Sequence, residues 1–346
     1  MKKSLLSLLA IFIIISIFSY SIAKTFETRN NSNKTHTIVS SFYPEYVILL
    51  NLLDNCDDIN IKNMTASATG CLHDYQITSS DMKILENADS LVINGGGMEP
   101  FLDDITKAYP KLHVIDSSKN IKLLKNISAH NHDSSNVNND KFILNTCEED
   151  HKHTKECAES EDEHVHSAEC EHGQFNAHIW LNPSNYLKQI TNIAHELSTI
   201  YPEYKDIINN NSSLYTKKIK KLQSDISIVN KKNKKKDKKD IIIFHDSFAY
   251  IANSFNLNVV QCIEVESDSS LSAGTIANTI DEINHHNIEI LLSEKQFKNT
   301  IANNIANETD AKVYILDSLV TGSNTKDSYI KGMKKNIATI ENILIK

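Results

Sequence analysis

Side chains able to bind metal are concentrated in residues 128–174, which hold seven of the fifteen histidines, twelve carboxylates against three lysines, and Cys147, Cys157 and Cys170. Imidazole, carboxylate and thiolate groups at short spacing can wrap a soft-to-borderline cation such as Zn²⁺. The pattern His151-x-His153-x-x-Glu156-Cys157 recurs as His164-x-His166-x-x-Glu169-Cys170, and His172 follows. The C-x-x-C spacing of a rigid structural finger is missing, so the segment reads as several weak metal sites on a surface loop. With almost no apolar residues it cannot build a core; the plainer alternative is an acidic linker whose histidines are incidental.

Four further positions could form a tighter site. His73 stands in the loop Gly70-Cys71-Leu72-His73-Asp74-Tyr75, and His178 stands just past the histidine-rich segment. His245 follows the apolar run Ile241-Ile242-Ile243-Phe244, and Asp317 follows Val313-Tyr314-Ile315-Leu316. In open α/β sheets ligands bind beyond the carboxyl ends of strands, where both would sit. Three imidazoles with one carboxylate or water suit tetrahedral Zn²⁺. Taken singly, each histidine is equally well a surface or core residue, and His36, His113, His195, His285 and His286 receive that plain reading. Asp74 and Asp246, each directly after a candidate histidine, could orient an imidazole or cap the following helix; capping is the commoner role.

The elements that must position these groups alternate between strand and helix. In the first half, strands are expected over Thr37–Ser41, Ile59–Met64, Ser90–Asn94 and Leu112–Ile115. The helices there are Glu45–Leu53, opened by Pro44, and Ser80–Asn87, capped by Thr78 or Ser79. In the second half, Ile241–Phe244, Val259–Ile263, Ile288–Ser293 and Lys312–Leu316 read as strands. Helices fall near Ser247–Ser254, Ala273–His285 and Thr300–Glu308. Short apolar strands alternating with amphipathic helices imply parallel sheets covered on both faces. Between the halves, Tyr204–Lys232 contains neither proline nor glycine and is dense in lysine. One helix of about 40 Å would act there as a stiff strut.

The resulting plan is an α/β protein of two lobes. Residues 24–203 form the first lobe, including the loop 128–174; 204–236 form the linker helix, and 237–346 the second lobe. Ahead of them, Met1-Lys2-Lys3 and the uncharged run Ser4–Ala23, ending Ser21-Ile22-Ala23, read as a signal peptide or N-terminal membrane anchor, which places the chain outside the cytoplasmic membrane. No cysteine precedes Cys56 to carry a lipid. Only Cys56, Cys71 and Cys262 fall in the expected folded body, an odd number whose pairing sequence cannot assign. Of 36 basic and 44 acidic residues, 3 and 12 lie in the loop, so the remainder is near neutral. No basic face remains for nucleic acid, and the lysine run 231–239 reads as a solvated helix end.

In order along the chain stand Gly70–Tyr75 with Ser80-Asp81, Ala88-Asp89, and Asn94-Gly95-Gly96-Gly97-Met98-Glu99. They are followed by His178-Ile179-Trp180-Leu181-Asn182-Pro183, Phe244-His245-Asp246-Ser247-Phe248-Ala249-Tyr250, Glu294-Lys295-Gln296-Phe297 and Leu316-Asp317-Ser318-Leu319. Together these motifs resemble the solute-binding proteins of zinc and manganese ABC importers, the ZnuA-like group. The resemblance implies two α/β lobes joined by a rigid backbone helix, with metal held between them by His73, His178, His245 and Asp317. It implies a monomer that carries Zn²⁺ as cargo to a membrane permease served by a separate ATPase subunit. Manganese-type members typically carry glutamate where this chain has His245 and lack the long histidine-rich loop, and a nitrogen-rich set favours Zn²⁺.

This chain departs from the family pattern at Cys71, at Ser318 where proline is common, and in lacking a lipobox. The competing expectations are a manganese-binding or metal-dependent adhesin member of the same family, and an extracellular zinc hydrolase. Against the hydrolase, the chain has no H-E-x-x-H; it also shows no P-loop and is not expected to hydrolyse nucleotide.

Overall fold

The computed structural model describes residues 35–66, 70, 72, 75–127, 175–233, 238–263, 271–296 and 299–345, with the isolated Ser16. The rest of the expected signal segment, His73 with Cys71 and Asp74, and the loop 128–174 with His151, His153, His164, His166 and His172 lie outside the described residues.

The first lobe is built on β1 (His36–Ser40), β2 (Ile59–Asn63), β3 (Ser90–Ile93) and β4 (His113–Asp116). They pair in parallel in the order β2-β1-β3-β4. Between them run α1 (Tyr43–Leu52), α2 (Ser79–Leu85) and α3 (Leu102–Ala108). Thr78 caps α2 through a reciprocal capping box with Asp81. A two-stranded antiparallel pair, β5 (Leu124–Lys125) and β6 (Phe175–Asn176), brackets the histidine-rich segment and leads into α4 (Pro183–Ile200). Asn182 caps α4 by accepting from Ser184 N and Asn185 N, with Pro183 at the first turn.

α5 (Lys205–Lys232) spans 28 residues, about 42 Å at 1.5 Å per residue. Its buried residues Ile208, Tyr215, Ile219, Leu222, Ile226 and Val229 recur every three, four or seven positions and form one stripe. That stripe packs on α1 and α4 of the first lobe and also on the C-terminal α9 (Ser328–Ile345), so one helix braces both halves.

The second lobe repeats the layout with β7 (Asp240–Ile243), β8 (Asn258–Cys262), β9 (Ile290–Glu294) and β10 (Lys312–Leu316), all parallel, in the order β10-β9-β7-β8. α6 (Ala249–Ser254), α7 (Ala273–His286) and α8 (Thr300–Asn307) complete it. Every residue of the inner strands β3 and β9 is buried, whereas β2 and β10 at the edges are only partly so. Sheets covered on both faces demand such continuous apolar strands. Alternation along β7 divides the core: Ile241 and Ile243 join the large cluster that runs through the first lobe, and Ile242 and Phe244 join a smaller one against α7 and α8.

Buried contacts cross the seam between the lobes. The Tyr186 and Tyr329 rings stack at 3.7 Å, and Tyr329 donates to Trp180 O at 2.7 Å. Trp180 Nε1 donates to Ser318 O at 2.8 Å, and Tyr43 donates to Ser323 O at 2.7 Å. A core continuous across two lobes and bonded along its seam holds their facing strand ends in a fixed relation.

Candidate metal site

Parallel strands end on one side of their sheet, so residues just past them converge. His245 follows β7 by two residues, Glu294 ends β9, and Asp317 follows β10. From the first lobe, His178 lies two residues past β6 and begins the 3-10 turn Ile179–Leu181. His178 and His245 face each other across the seam in edge-to-face contact, with ring centroids 4.9 Å apart. Both are buried, at 5% and 3% exposure, against the tendency of lone loop histidines to reach solvent.

Each ring has its Nδ1 against an oxygen of its own lobe. Asn176 Oδ1 lies 2.9 Å from His178 Nδ1 and accepts from the His178 backbone N at 2.9 Å. The same Asn176 reaches the other lobe, where its Nδ2 donates to Asp246 O at 2.8 Å and its own carbonyl accepts from Tyr250 Oη at 2.8 Å. Glu294 Oε2 lies 2.7 Å from His245 Nδ1, and Ser318 Oγ donates to Glu294 Oε1. With Nδ1 occupied in this way, Nε2 is the nitrogen each imidazole can offer a metal. The carboxylate at His245 Nδ1 is thus Glu294 from the neighbouring strand, while the adjacent Asp246 opens a 3-10 turn and gives its carbonyl to Asn176.

Beneath His178 the backbone is fixed by a buried carboxyl. Glu99 accepts from Ser41 Oγ at 2.7 Å, Asn94 N at 2.8 Å and Gly95 N at 3.0 Å, and burial pushes its acid up to about 7. Asn94 Nδ2 in turn donates to Ala177 O at 2.9 Å. Gly95 has φ +77, and a Cβ there would collide with the Asp116 carboxylate, so glycine is required where the chain turns out of β3.

Asp317 is placed on the same strand ends but engaged elsewhere. Its Oδ2 accepts from Lys295 Nζ at 2.9 Å, and its Oδ1 accepts from Gln296 Nε2 and Leu319 N, each at 2.9 Å. It also lines a cavity of about 190 Å³ at the seam with Tyr43, Lys295 and Lys335. Leu319 adopts φ +60, uncommon for a bulky residue and held in place by that bond to Asp317. Among the described residues no three His, Cys, Asp or Glu side chains are gathered closely enough to hold an ion, and His73 is not among those residues. His36, His113, His195, His285 and His286 lie away from the facing pair; His286 contacts Glu282 at 3.3 Å on exposed α7. Cys56 is a buried thiol, raised to about 11 by burial and by Asp54 and Asp57, which suits packing rather than ligation.

Sequence reasoning named His178, His245 and Asp317 but gave no role to Asn176, Glu294 or Ser318. For Glu294 the signal was present, since a carboxylate two residues past the apolar run Ile290–Leu292 stands at a strand end as His245 and Asp317 do.

Two parallel α/β lobes braced by one long helix, with histidines facing across the seam, define a metal-binding solute-binding protein. The chain belongs to the family described as "Zinc-uptake complex component A periplasmic", whose pattern it matches over residues 38–343. It is a binding protein of that family, not an enzyme. Members of the family act outside the cytoplasmic membrane with ABC transporters.

The chain is 26% identical over 322 residues to the high-affinity zinc uptake system protein ZnuA of Bacillus subtilis, covering 91% of this chain and 89% of that protein. It is 25% identical over 310 residues to the zinc-binding protein AdcA of Streptococcus pyogenes, covering 88% of this chain but only 55% of AdcA. The chain thus spans about half the length of its AdcA relatives. A crystal structure of ZnuA shares its fold with a TM-score of 0.65 at 24% identity, covering 90% of this chain and 99% of that one. The solute-binding protein FpvC of Pseudomonas aeruginosa, in complex with Mn²⁺, does so at 0.69 and 19% identity, covering 90% and 98%.

Proposed function

We propose that this protein captures Zn²⁺ outside the cytoplasmic membrane and delivers it to the permease of an ABC importer, with ATP hydrolysis on a separate subunit. The observation that carries the reading is the buried pair His178 and His245, 4.9 Å apart across the lobes, each with Nδ1 close against a side-chain oxygen of its own lobe. Nitrogen donors suit Zn²⁺ better than the harder Mn²⁺. His73 supplies the third imidazole, and Asp317 or water the fourth ligand, Asp317 turning from Lys295 when the ion arrives. The loop 128–174 gathers ions weakly through His151, His153, His164, His166 and His172 and raises their concentration at the cleft. Residues 1–23 direct the chain outward as a signal or anchor, and the protein acts as a monomer.

Calorimetric titration of alanine variants tests the ligand set. His73→Ala, His178→Ala and His245→Ala should each weaken the tight site by orders of magnitude, and Asp317→Ala by less. Unchanged affinity in any histidine variant removes that residue from the site. A manganese or nickel cargo is the second reading, favoured by the fold likeness to FpvC structures containing Mn²⁺ and Ni²⁺.

A further inference from the structure

We infer that Glu294 and Ser318 form a positioning pair that sets the tautomer and direction of His245. The inference rests on the reading that His245 holds the ion. The sheet register makes the pair possible: Ile243 of β7 lies opposite Leu292 of β9, so two residues on His245 comes level with Glu294. On the other side of β9, Glu294 lies opposite Leu316, which brings Ser318 within reach.

Glu294 is wholly buried, and a buried carboxylate is costly unless hydrogen-bonded. Its two oxygens serve two different segments, Oε2 against His245 Nδ1 at 2.7 Å and Oε1 accepting from Ser318 Oγ. A buried carboxylate oxygen this close to Nδ1 favours a proton on that nitrogen and leaves Nε2 as the coordinating one.

Ser318 adds a second link, since its carbonyl accepts from Trp180 Nε1, two residues beyond His178. A proline at 318 would offer no hydroxyl to Glu294, so the departure noted in the sequence is what completes this contact. The two imidazoles are therefore held unequally, His178 by the neutral amide of Asn176 and His245 by a carboxylate. Trp180 and Ser318 tie the two supports together across the seam.

The test compares Glu294→Gln, Ser318→Ala and His245→Ala in the full chain, using Zn²⁺ competition titration and imidazole ¹⁵N spectra of the metal-free protein. Wild type should show His245 as a single tautomer protonated at Nδ1. Glu294→Gln should bind Zn²⁺ about 10–100-fold more weakly and shift the His245 signals toward mixed tautomers. Ser318→Ala removes one hydroxyl, and should shift the same signals with a smaller loss of Zn²⁺ affinity than Glu294→Gln. It stands as the decisive variant if Glu294→Gln does not fold. Wild-type Zn²⁺ affinity in either folded variant, or weakened binding with unmoved His245 signals, would overturn the positioning role. A tight site retained in His245→Ala would instead remove His245 from the ligand set and sink the reading beneath it.

Discussion

Glu99 makes this protein's stability depend on pH in a direction opposite to ordinary paired carboxylates. Burial raises the Glu99 acid from 4.5 to about 7, with the hydrogen bonds from Ser41, Asn94 and Gly95 pulling the other way and Asp116 adding a smaller upward push. An acid with a raised folded value still holds its proton where the unfolded chain has lost it. Its contribution is full below pH 4.5 and is lost as pH rises through 7. At 1.36 kcal/mol per pH unit the difference is about 3 kcal/mol. Glu45, whose acid is also raised by burial and by the nearby Glu99, adds to the slope with the same sign.

The assay is urea unfolding of the wild type and Glu99→Gln at intervals from pH 4.5 to 8. Titrations common to both cancel in the difference, which reports Glu99 together with its coupling to Glu45. The stability difference between wild type and variant should change by about 3 kcal/mol across that range, with the wild type losing ground as pH rises. A difference independent of pH would mean that Glu99 titrates alike in the folded and unfolded chain. Because Glu99 anchors Asn94, and Asn94 holds Ala177 beside His178, the variant should also bind metal more weakly.

Trp180→Phe keeps an aromatic ring but removes the bond to Ser318 O, leaving a buried carbonyl short of a donor. It should cost about 1–3 kcal/mol of stability by urea unfolding and weaken Zn²⁺ binding, whereas a neutral result on both would detach Trp180 from the seam. Removing residues 128–174 should leave folding and one tight site intact while abolishing weaker binding events in calorimetry. Loss of the tight site would place loop residues within it, and unchanged stoichiometry would mean the loop binds nothing.

Local chemistry made much of this fold readable. Four of the strands in each half were expected within a residue or two, because buried parallel strands are short, continuous and apolar, as in Ile241–Ile243 and Ile290–Leu292. The cap of α2 was narrowed to Thr78 or Ser79, and it is Thr78 that forms the capping box with Asp81. The helices α4 and α9 were not named, although Tyr186, Ile190, Ile193 and Leu197, and Tyr329, Met333, Ile337 and Ile340, carry the helical period. The strand order is set by contacts between segments far apart in the chain, which periodicity does not encode. The same holds at the site, where His245 meets Glu294 through sheet register and Trp180 meets Ser318 across 138 positions. The types of the candidate ligands were legible; what holds them was not.

Competition between metals tests most directly whether the proposed site selects zinc. Purified protein should be analysed for its bound elements, then stripped of metal and titrated with Zn²⁺ and Mn²⁺ in competition. One site should take Zn²⁺ tightly and keep it against excess Mn²⁺, with further Zn²⁺ bound more weakly. Equal or stronger retention of Mn²⁺ at that site would rule out a zinc-selective protein.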